Sequence, residues 1–299
     1  DERGWVDIGY NFLICNDNDD QQQIYRGRGW RYVGAHCIGY NFMSLVNILF
    51  RPGRTIEIYT KISMHRAGIK KHFLPMDDDM NAKLCYCEKG VEVVGQPSLV
   101  FIHGFSSSKS TWLSVIKHIP DRYHCIAVDL PGHGETVGFN EEYYIATNVV
   151  DLLKQFFDRL NFIEPICLVG GSMGGAIAAM FAMKYPFDVG MICVLSPPPG
   201  EEYETDMVQQ LRLGKYHIIL PETFKQYYAL MKILSKKKIP FARSLAKTYF
   251  KIHLRTLNQH KRILQIAFEY DYPNLGEIYR QLKYLMCPTL IIWGREDQV

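Results

Sequence analysis

The chain has 299 residues, 47% apolar and 22% charged, near the averages of packed globular domains, which excludes a disordered tail or a fibre. A net charge of +3 is too small to mark a nucleic-acid partner, and none is expected. The 8 cysteines show neither a CxxC pair nor compact disulfide spacing, so the expectation is a reducing compartment and no zinc site.

Residues 1–60 carry two near-copies of RGW…IGYNF, at Arg3–Phe12 and Arg28–Phe42, around the polar run Asn16–Gln23. Two copies do not make a solenoid, so this segment is expected to be disordered or poorly defined, and no function is assigned to it. The longest apolar run, Ile38–Phe50, falls short of the roughly 20 residues a transmembrane helix needs. The first residue is Asp, no signal peptide is legible, and the chain is expected to be incomplete at this end.

From about Met64 strand and helix signals alternate. KLCYCEKG and SLVFIHGF read as strands, STWLSVIKHIP as a helix, and YHCIAVDLPGHG as a strand entering a Pro-Gly loop. Apolar residues at 149, 152, 153, 156, 157 and 160 predict a long amphipathic helix, and PICLVGGS predicts the next strand. MGGAIAAMFAMKYP reads as a helix stopped by Pro186, and VGMICVLSP and PTLIIWGRED as strands. Short apolar strands separated by helices imply an α/β fold with a doubly wound, mostly parallel sheet covered on both faces.

Chemistry concentrates at LVGGSMGGAI, where Gly170-Gly171-Ser172-Met173-Gly174 satisfies G-x-S-x-G between a strand and a helix. Turning within one residue forces Ser172 into a positive-φ conformation, and glycines at 170 and 174 let strand and helix approach closely. Ser172 is thus the candidate nucleophile, at the carboxyl ends of the strands and at a helix N-terminus. A phosphate loop would need a lysine that does not follow. The candidate oxyanion donors are the N–H of Met173 and the N–H of Phe105, which follows His103-Gly104 at the end of an earlier strand. The Phe105 ring is expected to face an acyl pocket, and His103 and His133 to shape their loops rather than transfer protons.

HGFSSSKSTW, VDLPGHGET, LVGGSMGG and IIWGREDQV together resemble the α/β-hydrolase superfamily, most of all its monoacylglycerol lipases, over roughly residues 60–299. The resemblance implies a serine hydrolase that cleaves glycerol esters of one long acyl chain through an acyl-enzyme. It places the nucleophile on Ser172 and the triad acid on Asp297, with Glu201 or Glu202 at an alternative acid position. The triad histidine should follow the acid, yet all ten histidines, from His36 to His260, precede Asp297. His217, His253 and His260 are weighed as substitutes and set aside. The chain as it stands is therefore expected to be an inactive fragment of a longer enzyme, without its last strand, last helix and catalytic histidine.

The expected organisation is an N-terminal segment (1–60), a hydrolase core (61–196), a helical lid (197–262) and a return to an incomplete core (263–299). From Glu201 to Arg262 there are 13 Lys and Arg against 5 Asp and Glu, and apolar residues recur at helical spacing. Such a lid, with Lys236, Lys237 and Lys238, suits an anionic membrane surface and intracellular membrane association, the alternative being a cytoplasmic protein. No metal or organic cofactor is expected. Two rival functions share the pattern: a carbon–carbon bond hydrolase of dienoate acids, and a non-catalytic binding protein.

Overall fold

A computed structural model describes residues 60–78, 80–234 and 243–294, and the backbone of 12–16 and 22–26. The strands are β1 (Phe12–Asn16), β2 (Gln22–Arg26), β3 (Lys70–Pro75), β4 (Lys83–Lys89), β5 (Leu99–Ile102), β6 (Cys125–Val128), β7 (Ile166–Gly171), β8 (Val189–Leu195) and β9 (Thr289–Ile292). They form one sheet in the order β2-β1-β9-β8-β7-β5-β6-β4-β3. The centre, β6-β5-β7-β8-β9, is parallel, and the pairs β3–β4, β4–β6, β1–β2 and β1–β9 are antiparallel.

The central strands show why the sequence demands cover on both faces. Val100 and Ile102 of β5, with Ile126 and Val128 of β6, enter one core cluster, while Phe101, Cys125 and Ala127 between them enter another. All are buried, so alternation along the strand never reaches water, as the continuous apolar runs require. On the first face lie α1 (Ala146–Leu160) and α2 (Met173–Lys184), whose Leu152, Leu153, Phe156, Ile177 and Phe181 fill the space against the sheet. Helix α1 stops where Asn161 turns left-handed at φ 54°, and α2 stops at Lys184, two residues before Pro186. On the second face Trp112, Ile116 and Ile69 are buried against Phe101 and Ala127.

Three elements differ from the sequence reading. The helix expected over Ser110–Pro120 is only a 3-10 turn (Lys109–Trp112) running into one helical turn (Leu113–Ile116). Strand β3 was not foreseen, because an edge strand with one covered face and two lysines carries a weak apolar signal. Residues 12–16 and 22–26, inside the segment read as disordered or poorly defined, are hairpin strands joined to β9.

The region after β8 is helical: α3 (Asp206–Arg212), α4 (Phe224–Ile233), α5 (Arg243–Ile266) and α6 (Tyr272–Gln281), with a π-turn (Ala267–Asp271) between the last two. Helix α5 runs past the boundary drawn at 262. Lys236, Lys237, Lys238, Ile38–Phe50 and Asp297 lie outside the described residues. Cys85, Cys87, Cys125, Cys167 and Cys193 are buried free thiols, and Cys287 is free and half-buried.

Candidate active site

Ser172 is the single residue between β7 and α2, and its backbone sits at φ 52°, ψ −124°. That conformation is open to a non-glycine residue only under strain, and here packing on every side holds it. A Cβ at Gly170 would lie 2.1 Å from the Gly174 carbonyl oxygen, and one at Gly174 would lie 2.4 Å from the Ile102 oxygen and 2.5 Å from the His103 oxygen. Only glycine fits at either position. The serine N–H donates to the Leu195 carbonyl at 2.8 Å, pinning the turn to β8, and the side chain is exposed. A hydroxyl is thus presented above the strand ends, beside the N–H groups that a helix leaves without intrahelical partners.

Gly104 packs directly on this turn, since a Cβ there would lie 3.2 Å from the Ser172 Cβ. The amides of Phe105 and Met173, named from the sequence as oxyanion donors, therefore sit on two adjoining loops. Neither donates to a backbone carbonyl among the described residues.

Two networks fix the 103–109 loop; the sequence reading missed the first, and of the second it named only His103 and His133 as residues that shape their loops. The first centres on Lys109, 3% exposed, and Asp129, fully buried at the end of β6. Asp129 Oδ1 accepts from the Lys109 N–H at 2.6 Å, and Oδ2 accepts from Lys109 Nζ at 2.6 Å and from the Glu135 N–H at 2.8 Å. Lys109 Nζ also meets Glu135 Oε2 at 2.9 Å, and Lys71 pairs with Glu135 Oε1 at 2.7 Å. Burial works to lower the Lys109 pKa, but the two carboxylates outweigh it and hold the ammonium above its ordinary range. Burial likewise tends to raise the Glu135 carboxyl, but Lys71 and Lys109 pull it below the usual carboxylate range. Cys85, Asp129 and Glu135 converge closely enough to hold a cation, and the Lys109 ammonium fills that role; burial pushes the Cys85 thiol up to about 11. A sequence signal existed: a lysine amid serines, and an aspartate closing an apolar strand.

The second network is a file of rings. His103 lies tilted 5.0 Å from His133, and His133 stacks at 5.0 Å on His260 of α5, with the Phe105 ring 5.8 Å from His260. His103 Nδ1 donates to the Gly104 carbonyl at 2.8 Å, leaving Nε2 to accept from the Leu130 N–H at 3.1 Å. His133 Nδ1 donates to the Pro131 carbonyl at 3.0 Å, and its Nε2 accepts from the Ser106 N–H at 3.3 Å. Burial holds His103 down at about 4, and burial with the neighbouring His103 holds His133 at about 3. Burial, with His133 beside it, sets His260 at about 3 as well. All three rings are thus held in the neutral form. Of the other histidines weighed as substitutes, His253 Nε2 donates to the Pro221 carbonyl at 3.0 Å, and His217 lies in the Tyr216–Ile218 turn. Glu202 pairs with Arg280 on the surface, and Glu201 is exposed in the same short turn.

Above Ser172 opens a cavity of about 500 Å³ between core and lid. Its walls are mainly apolar: Phe105, with Met173 and Ile177 of α2, Leu211 of α3, Leu230 of α4 and Phe268 of the π-turn, all line it. Phe105 also packs into the lid cluster of Leu211, Leu220 and Leu264. A volume of this kind, walled by hydrocarbon with a hydroxyl at one end, accommodates an acyl chain.

The family model described as alpha/beta hydrolase fold matches residues 97–216, the span holding the 103–109 loop and the turn at Ser172. A Bacillus subtilis protein whose name gives it, provisionally, as 2-succinyl-6-hydroxy-2,4-cyclohexadiene-1-carboxylate synthase is 38% identical over 211 residues, 67% of this chain and 74% of that one. The chain belongs to the α/β-hydrolase family. Within this family the human monoacylglycerol lipase ABHD6 is 28% identical over 265 residues, 85% of this chain and 76% of the relative. Among solved structures, a bacterial membrane phospholipase A shares the fold, with a TM-score of 0.73 at 22% identity, covering 86% of this chain and 80% of its own. The α/β-hydrolase architecture expected from the four motifs is therefore present, and with lipases among its relatives the chain is a hydrolase of lipase/esterase type.

Proposed function

We propose that this α/β-hydrolase is a serine-dependent esterase of monoacylglycerols. The observation that carries the reading is the exposed Ser172 hydroxyl, on its positive-φ turn, opening into a cavity of about 500 Å³ with mainly apolar walls. Ser172 attacks the ester carbonyl, the amides of Phe105 and Met173 stabilise the resulting oxyanion, and the acyl chain lies between core and lid. Asp297, which follows β9 beside β8, is the proposed triad acid; His103, His133 and His260 are assigned positioning roles and not proton transfer.

The relative named as a carboxylate synthase keeps a second reading in view, that of chemistry on a dienoate acid. An acidic substrate needs a cation in the pocket, yet among the described lining residues there is no Lys or Arg, and the one carboxylate is Asp271. A neutral ester fits that wall better. Attachment to a membrane surface through the basic lid belongs to the same proposal, as no described helix is long and apolar enough to cross a bilayer.

The test is glycerol release from monoolein in neutral and in anionic vesicles. Ser172→Ala should lower turnover by at least about a thousandfold, with its melting temperature unchanged. Activity should rise with anionic lipid and lose that rise when Lys236, Lys237 and Lys238 become Gln. Turnover that survives Ser172→Ala would refute the serine mechanism, and tight monoolein binding without turnover in wild type would fit either a binding protein or a chain without its triad histidine.

A further inference from the structure

The cavity wall is polar in two places. One is the elbow, with Ser172, Ser196 and Ser106; the other lies where the turn meets α6, with Asp271 ending the turn and Asn274 in the first helical turn, and Tyr144 and Thr147 also in the lining. Asp271 Oδ1 accepts from the Ala146 N–H at 3.0 Å, capping α1 from a residue 125 positions away. Its other oxygen has no hydrogen-bonding partner among the described residues, and no described cation pairs with it. An ionised carboxylate can accept about four hydrogen bonds, so most of the acceptor capacity of this cavity-lining residue is unused.

A capping role alone does not call for a carboxylate here, because Asn or Ser would accept from the same N–H without bringing a charge into an apolar wall. A ligand that donates hydrogen bonds would use what the cap leaves over. The ligand class follows from the surroundings: apolar walls for a chain, a hydroxyl nucleophile at one polar place, and an acceptor-only group at the other. We propose that Asp271 is the head-group residue of this pocket, accepting hydrogen bonds from the free hydroxyls of a polyol ester. This rests on the esterase reading for the substrate class but not for its test. Asp271 is a specificity residue, outside the reacting atoms.

The experiment measures binding of two ethers that no esterase can cleave, 1-O-hexadecylglycerol and hexadecyl methyl ether, by displacement of a fluorescent fatty-acyl probe. The variants are Asp271→Asn, which keeps an oxygen for Ala146, and Asp271→Ser, a shorter neutral cap. A charge-assisted hydrogen bond exceeds a neutral one by about 1 kcal/mol or slightly more, roughly tenfold in affinity. The wild-type protein should therefore prefer the glycerol ether, and both variants should lose about tenfold of that preference while binding the methyl ether as before. An unchanged preference in Asp271→Asn would make Asp271 a cap and nothing more. Equal weakening of both ethers would assign it a structural role, and failure of wild type to distinguish them would also overturn the proposal. Loss of ester turnover in Ser172→Ala leaves these outcomes untouched, so the two readings fail separately.

Discussion

If Asp271 is held as a charge in an apolar wall, folding should be opposed by that charge, and the opposition can be measured. Burial raises its pKa from 3.8 to about 6, and the hydrogen bond from Ala146 offsets only part of the effect. A carboxyl with a raised folded-state pKa binds more protons folded than unfolded, so stability is greatest below the unfolded value and falls as pH rises through the folded one. From those two values the loss is about 1.5 kcal/mol at pH 5 and about 3 kcal/mol at pH 7, flattening above, an upper bound for a half-buried group. Asp271→Asn keeps the capping oxygen and removes the titration. It should match wild type near pH 4 and gain stability progressively to pH 7, by up to about 3 kcal/mol. Urea unfolding followed by far-UV circular dichroism at half-unit pH intervals gives the difference curve directly. A difference that is flat with pH, or one that favours the wild type at pH 7, would refute the argument that the carboxylate is desolvated.

Other consequences follow from the two networks behind the oxyanion loop. Lys109→Met leaves Asp129 buried with only backbone donors and should destabilise by about 3–5 kcal/mol, while Lys109→Met with Asp129→Asn recovers much of it; a single-variant loss under about 1 kcal/mol in urea melts would dismiss the network. The three histidines in ring contact are neutral in the fold, with pKa values held at about 4 (His103), about 3 (His133) and about 3 (His260). The unfolded chain takes up protons first, so their contribution is intact above about pH 6.5 and is lost as pH falls towards 4. His260 Nε2 is buried without a hydrogen-bonding partner among the described residues, although the Gly132 carbonyl lies close to the ring. His260→Phe should keep the stack, cost no stability at pH 7 and move the acid midpoint down; an unchanged acid titration would exclude the stack as its origin.

What the sequence discloses and what it withholds have a physical division. The sheet is legible because each central strand is buried on both faces and so must be apolar throughout, as CIAV and ICLVGG are. The elbow is legible because its close approaches admit only glycine, which leaves a local pattern. Lys109, Asp129 and Asp271 are not legible in this way. Asp129 meets Lys109 across 20 residues, and Asp271 meets Ala146 across 125; a lone charge carries no mark of a partner so far away. The expected helix at 110–120 failed for a related reason. Lys109, just before it, opens the 3-10 turn and is tied to Asp129 through both its N–H and its ammonium, a long-range constraint that local propensity does not register.

One helix joins these parts. Helix α5 carries His260 onto His133, Ile263 onto Gly132 and Leu264 into the cluster that receives Phe105, and the turn that follows it ends at Asp271 in the cavity wall. Gly132 shows how close the fit is: its φ is +76°, and a Cβ there would meet the Ile263 Cδ1 at 2.5 Å and the Tyr144 ring at 2.9 Å. The PGHG loop is therefore glycine-rich for two separable reasons, the left-handed backbone of the turn and the seat it gives to α5. It follows that lid and oxyanion loop are not independent modules. Displacing α5 would part His260 from His133, whose Nε2 accepts from the Ser106 N–H next to Phe105. A shift of α5 would thus reach the loop that carries the proposed oxyanion donor both through these rings and through the direct packing of Phe105 on Leu211, Leu220 and Leu264.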